Sequence, residues 1–135
     1  MTGERDLRAL LRHMKPEMRP GTFVFCTLAP GEPVPTEIAP LLTFREQEGM
    51  TLVLPRDEAV RAKLRYAFPS RLITLTVHSA LDAVGFLAAI TARLAGAGIS
   101  VNAVSAFHHD HLFVPVDRAG EAMAVLQDMS AASRD

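Results

Sequence analysis

The chain is poor in the residues that mark several functional classes. Its 135 residues include one cysteine, Cys26, so no intramolecular disulfide can form; its place inside an apolar run reads as a buried thiol in a reducing compartment. There is no tryptophan, and 14 basic residues against 15 acidic ones leave a formal net charge of -1. Without a basic stripe or a Lys/Arg run interleaved with aromatics, the electrostatic footprint of a nucleic-acid binder is missing. No run approaches the roughly 18 apolar residues a membrane helix needs, and the start MTGERDLRALL has neither a basic region nor an apolar core of a signal peptide. The expectation is a cytoplasmic protein with no nucleic-acid or membrane partner. What the chain does have is 49% hydrophobic residues, enough to bury a core.

The stretch 71–116 carries the clearest pattern. Ile73, Leu75 and Val77 alternate as on a strand over 71–78; a loop 79–82 follows; and Val84, Leu87, Thr91, Leu94 and Ala95 form one stripe of a helix over 83–96. Ser79 and Asp82 are both candidate helix N-caps, and Gly96-Ala97-Gly98 provides a helix stop before a strand over 99–107. A short polar turn, His108 to His111, then leads into a further strand, which completes a β-α-β-β unit.

Asp82-Ala83-Val84-Gly85 followed by Leu87, and then Leu94 with Gly98-Ile99-Ser100, resembles the signature of the ACT-domain family, small regulatory modules of amino-acid metabolism. The segments FVFCT, TFREQEGMTLVLP and AFHHDHLFVP extend this resemblance over the full length, to small bacterial proteins with two ACT-type repeats and no attached enzyme. The resemblance implies an α+β, ferredoxin-like ACT fold: two β-α-β-β-α type repeats, the first degenerate, with an antiparallel sheet and helices on one face.

The remaining segments fit tandem organisation. An amphipathic helix over 4–14 with a linker occupies 1–20 and is expected to cap an end of the fold; a degenerate ACT-like repeat fills 21–68; an ACT domain fills 69–135. In the first repeat, TFVFCTL reads as a strand covered on both faces, prolines at 30, 33, 35 and 40 exclude the long helix of the second repeat, 41–45 and 50–54 read as a hairpin, and 57–65 as a short helix. Leu52-Val53-Leu54-Pro55-Arg56-Asp57 recurs as Leu112-Phe113-Val114-Pro115-Val116-Asp117, which predicts in both copies a strand that ends at Pro and a helix capped by Asp. Pro69-Ser70 separates the halves, and the final helix over 117–129 is expected to bury Ala119, Met123, Leu126 and Met129. The polar tail SAASRD leaves the second repeat without a sixth element, so the halves are expected to share or exchange strands, or to complete one another in a homodimer.

The start of the central helix is the candidate ligand site. Its free amides and dipole favour an anion such as an α-carboxylate, and Gly85 leaves room for close approach. An α-ammonium would need acceptors such as Asp82. By the ACT resemblance, the ligand lies against this loop at an interface between repeats or protomers, which carries over to Ser79, Asp82, Ala83, Val84, Gly85 and Asn102; His78, His108, His109 and His111 are possible accessory residues. Ser79 and Asp82 also have the simpler reading of caps, and Asn102 that of a polar residue on a half-exposed strand. The His108-His109-Asp110-His111 turn has the chemistry for zinc, but consecutive strand residues diverge and no HExxH or Cys-x-x-Cys spacing supports it. It reads as a solvated turn, with no metal and no cofactor. Three functions follow in order of support: a non-catalytic regulatory module for a small amino acid or related carboxylate, a ligand-free assembly domain, and an enzyme using the His turn. No nucleophile, oriented base or phosphate loop supports the third.

Overall fold

One strand, β5 (Ala67–Leu75), serves both repeats in the computed structural model, which describes residues 3–134. Its first part pairs antiparallel with β2 (Phe23–Leu28), Ser70 opposite Phe23. Its second part pairs with β1 (Pro16–Met18), Ile73 opposite Met18. The chain accordingly divides into two compact units: Gly21–Ser70, and the N-terminal segment up to Pro20 together with everything from Arg71 onward.

In the first unit the strand order is β3 (Leu42–Glu46), β4 (Gly49–Pro55), β2 and the start of β5. Val24, Cys26 and Leu28 on one face of β2 and Leu52 and Leu54 of β4 form a core with Ala59 of helix α2 (Arg56–Arg61). Where the second repeat has its long helix, this one has the proline-rich loop, and Ile38 from that loop completes the core. The Ala39 amide donates to Glu58 Oε1 at 2.8 Å, which ties the loop to α2. Thr27 is exposed and Phe23 and Phe25 are only partly buried, so β2 is less covered on its second face than its composition suggests. Helix α2 stops at Arg61 rather than near 65 because Lys63 takes a left-handed φ of 58° and the Leu64 amide turns back to the Ala59 carbonyl.

In the second unit the order is β1, β5, β7 (Asp110–Pro115) and β6 (Asn102–Ser105). Ile73, Leu75, Leu112 and Val114 pack with Leu10 of α1 (Leu7–His13), Ile90 and Leu94 of α3 (Phe86–Gly96), and Leu126 and Met129 of α4 (Ala119–Ala132). Both units therefore carry the ferredoxin-like arrangement. Each obtains its fourth strand from outside its own β-α-β-β-α run: the start of β5 for the first, β1 for the second. Strand sharing, which the sequence left open, thus occurs within one chain.

Several expectations differ from the structure. Residues up to 20 do not stand apart as helix and linker: Leu10 and Met14 are buried in the second unit's core, β1 extends its sheet, and Ser130 Oγ of α4 donates to the carbonyls of Arg12 and Met14 at 3.1 and 3.3 Å. Pro69-Ser70 ends the first unit, but it lies inside β5 and not in a linker between elements. The proline is accommodated where the pairing register shifts, beside Phe68 at φ 57°, and Ser70 Oγ bonds the Phe23 carbonyl at 3.0 Å. Neither aspartate of the repeated segment is an N-cap. Pro55 takes that position at α2, and in the second copy a 3₁₀ turn, Val116–Arg118, precedes α4.

Candidate functional site

The loop 79–85 is the last part of the 76–85 segment that joins β5 to α3, and its last residue rather than its first polar ones begins the helix. Gly85 is the N-cap, at φ 94°, a left-handed conformation that glycine adopts without steric cost, and no side chain caps α3. The expected caps are engaged elsewhere. Ser79 Oγ donates to Asp110 Oδ2 at 3.1 Å in the interior. Asp82 is exposed and meets Arg5 in a two-pronged pair, Nε to Oδ1 at 2.9 Å and Nη2 to Oδ2 at 3.0 Å, whose hydrogen bonding holds the Asp82 carboxyl below the usual range.

The N-terminal segment also lies along this loop. The Glu4 amide donates to the His78 carbonyl and the Ala80 amide to the Glu4 carbonyl, both at 2.8 Å. Gly3 crosses so close that a Cβ there would stand 2.7 Å from the Ala80 nitrogen.

Sequence reasoning set Asp110 in a solvated turn and left it out of the site residues. It is buried, at 6% exposure, and Ser105 Oγ donates to its Oδ1 at 2.6 Å while Ser79 holds Oδ2. Among the described residues no Lys or Arg forms a salt bridge to it. A cavity of about 70 Å³ opens here, lined by Ser79, Ala80 and Ala83 of the loop, by Phe86 and Leu87 at the start of α3, and by Ser105 and Asp110. One small space therefore holds a carboxylate with two hydroxyls and the first turn of a helix, whose leading amides lack intrahelical acceptors. The signal for Asp110 was present in the strand period: counting back from the core residues Leu112 and Val114 by twos puts it on the inward face.

The same register separates Asn102 from the cavity. In the antiparallel β6–β7 ladder Ser105 faces Asp110 and Asn102 faces Phe113, so Asn102 is on the other side of the sheet, roughly 10 Å along the strand from Ser105. Val84 is 84% exposed and does not line the cavity. The histidines form a chain of ring contacts: His78 to His108 at 5.3 Å between centroids, His108 to His109 and His109 to His111 each at 6.4 Å. His109 Nδ1 approaches the Val77 carbonyl at 3.3 Å, and His111 Nδ1 shares a 3.0 Å hydrogen bond with Thr74 Oγ1. Burial, reinforced by the neighbouring His109, holds the His111 imidazole below its ordinary pKa. Among the described residues no three His, Cys, Asp or Glu side chains converge as a metal site would require.

The model of the ACT-domain family matches residues 2–71 and a second ACT-domain model matches residues 67–128. The chain belongs to the ACT-domain family. This ACT chain is 41% identical to a Vibrio cholerae protein described as of unknown function and possibly a transport protein; the match covers 92% of this chain and 95% of that one, at a TM-score of 0.81. A protein from Agobacterium tumefaciens is 20% identical over 87% of this chain and 89% of its own, at a TM-score of 0.74. The regulatory subunit of aspartate kinase from Thermus flavus is 9% identical over 84% of this chain and 95% of its own, at a TM-score of 0.61, a likeness of fold alone. No curated protein matches the chain. Family membership supports a regulatory, small-molecule-binding role in general terms, and ACT regulatory domains are generally non-catalytic. No helix among the described residues is long and apolar enough to cross a membrane.

Proposed function

We propose that this ACT chain is a non-catalytic, cytoplasmic regulatory module that binds a small amino acid or related carboxylate at loop 79–85 and the start of α3, and that it acts as a homodimer. The observation that carries the proposal is the cavity where a buried Asp110 and the first turn of α3 meet. The helix start suits the ligand's carboxylate, and its 11 residues align enough peptide dipoles to matter there. In this reading Ser79, Ala83 and Gly85 shape the site directly. Asp82 acts through Arg5 on the conformation of the loop, and Val84, exposed beside it, faces a second protomer or solvent. Asn102 serves a ligand only from a partner protomer, because its own sheet stands between it and the cavity of its chain. The histidines flank the site without chemistry of their own. Regulation then follows from differential affinity: a ligand that grips the loop in one arrangement shifts the balance towards that arrangement by the difference in binding energy.

Thermal-shift measurement against the common amino acids and short carboxylates tests this. At a hundredfold excess over Kd, a true ligand adds about 2.7 kcal/mol of stability. A melting temperature that no member of the panel moves would refute the sensing role. Sedimentation at the same protein concentrations checks the dimer, and a monomer throughout would remove the protomer contribution assigned to Asn102.

A further inference from the structure

We infer that Asp110, with Ser79 and Ser105, is the ammonium-receiving and specificity-determining group of this site, and that the ligand class is a small amino acid with an uncharged side chain. The inference rests on the proposed function and adds the residues that select the ligand. A carboxylate offers about four lone-pair positions, and the two hydroxyl donors at 3.1 and 2.6 Å occupy one on each oxygen, so both oxygens keep acceptor capacity beside the cavity. Burying such a group without a cation is costly, and no Lys or Arg bridges it among the described residues. A primary ammonium supplies both the missing charge and several donors. Ser79 and Ser105 clamp the two oxygens from opposite sides of the chain, one from the loop and one from β6, which fixes the plane of the acceptor.

The rest of the lining sets the side-chain class. Ala80, Ala83, Phe86 and Leu87 offer no partner to a second charge, and among the described residues no basic side chain lines the space, so an acidic side chain would be buried beside Asp110 without compensation. A space of about 70 Å³ holds a few water-sized groups, which suits a head group with a short side chain rather than an aromatic or long basic one.

Calorimetric titration of the full chain with glycine, L-alanine, propionate, L-aspartate and L-lysine provides the test. Wild-type protein is expected to bind glycine or L-alanine more tightly than L-aspartate or L-lysine. Asp110→Asn, nearly the same in shape, is expected to weaken L-alanine binding by about tenfold or more, the scale of losing a charge-assisted hydrogen bond. Propionate, which has no amine, should bind the variant at least as well as it binds wild type; a merely structural role of Asp110 would weaken both ligands together. Ser105→Ala is the second variant should Asp110→Asn fail to fold, with a smaller loss for L-alanine and none for propionate. Undiminished L-alanine binding in both variants, or tighter binding of L-aspartate or L-lysine to wild type, would overturn this inference while the sensing role stood. Wild-type protein that binds no amino acid or carboxylate would overturn both.

Discussion

Where the second repeat lays α3 across its sheet, the first has a loop studded with prolines, and the same strand arrangement survives in both. Ile38 takes over in the first unit the covering that Ile90 and Leu94 provide in the second. A helix is thus dispensable for closing a small core. What the loop lacks is a helix start: a set of unsatisfied amides aimed past the end of a strand. The first repeat keeps the packing and has no counterpart of the loop 79–85 entering a helix; the second keeps both, with a buried carboxylate beside them.

Removing equivalent core contacts from the two units should expose this difference most strongly. Ile90→Ala leaves a void under an 11-residue helix and is expected to cost about 4 kcal/mol, whereas Ile38→Ala, from a loop able to settle inward, should cost about 2 kcal/mol. Urea denaturation monitored by circular dichroism gives both values. Equal losses would mean that the proline loop is as rigid a cover as the helix.

Two glycines sharpen the contrast at the level of backbone. A Cβ at Gly49, at φ 150°, would stand 2.1 Å from the Leu28 carbonyl oxygen, while one at Gly85, at φ 94°, would meet nothing nearer than Leu7 Cδ2 at 3.7 Å. Gly49→Ala should therefore cost about 3 kcal/mol, from clash and strain together, and Gly85→Ala about 1 kcal/mol from strain alone. Melting temperatures that rank the two variants the other way would show that Gly85 is held for a contact beyond its conformation.

The smallest expected effect is on pH dependence. All five histidines belong to the second unit, and His111 is the one whose pKa is held down, chiefly by burial. Below about pH 6.5 the unfolded chain binds a proton at His111 that the folded chain resists, so stability falls as pH drops through that value and is unaffected above it. The His111→Asn variant should lose less melting temperature between pH 7 and pH 5 than wild type. An identical slope would assign the acid sensitivity to other groups.

The legible part of the fold was the part written in short-range patterns. The alternation of Ile73 and Leu75, the proline density of 30–40 and the 60-residue repeat around Pro55 and Pro115 each correspond to an element or a break. The apolar stripe located helix α3 but not its buried face: Leu94 is buried together with Phe86 and Ile90, whereas Val84 and Ala95 are exposed. Boundaries were less legible. Helix α3 begins at Phe86 rather than at residue 83 because a left-handed Gly85, not a hydrogen-bonding side chain, sets its start. In the site, Ser79 and Asp82 carried the expected residue types but not the expected partners, since Asp110 and Arg5 reach them from 31 and 77 residues away.

Local chemistry in the sequence determined the strands, the helices, the missing helix of the first repeat and the family to which the chain belongs, because periodicity, prolines and glycines act over a few neighbouring residues. Only tertiary structure decided which strand completes each repeat, that Pro16–Met18 pairs beside β5, and that Ser79 and Ser105 close on Asp110 while Asn102 falls on the other side of the sheet. Those outcomes depend on pairing register and on contacts between distant segments. A shift of one residue would exchange the two faces of a strand while leaving every local propensity unchanged.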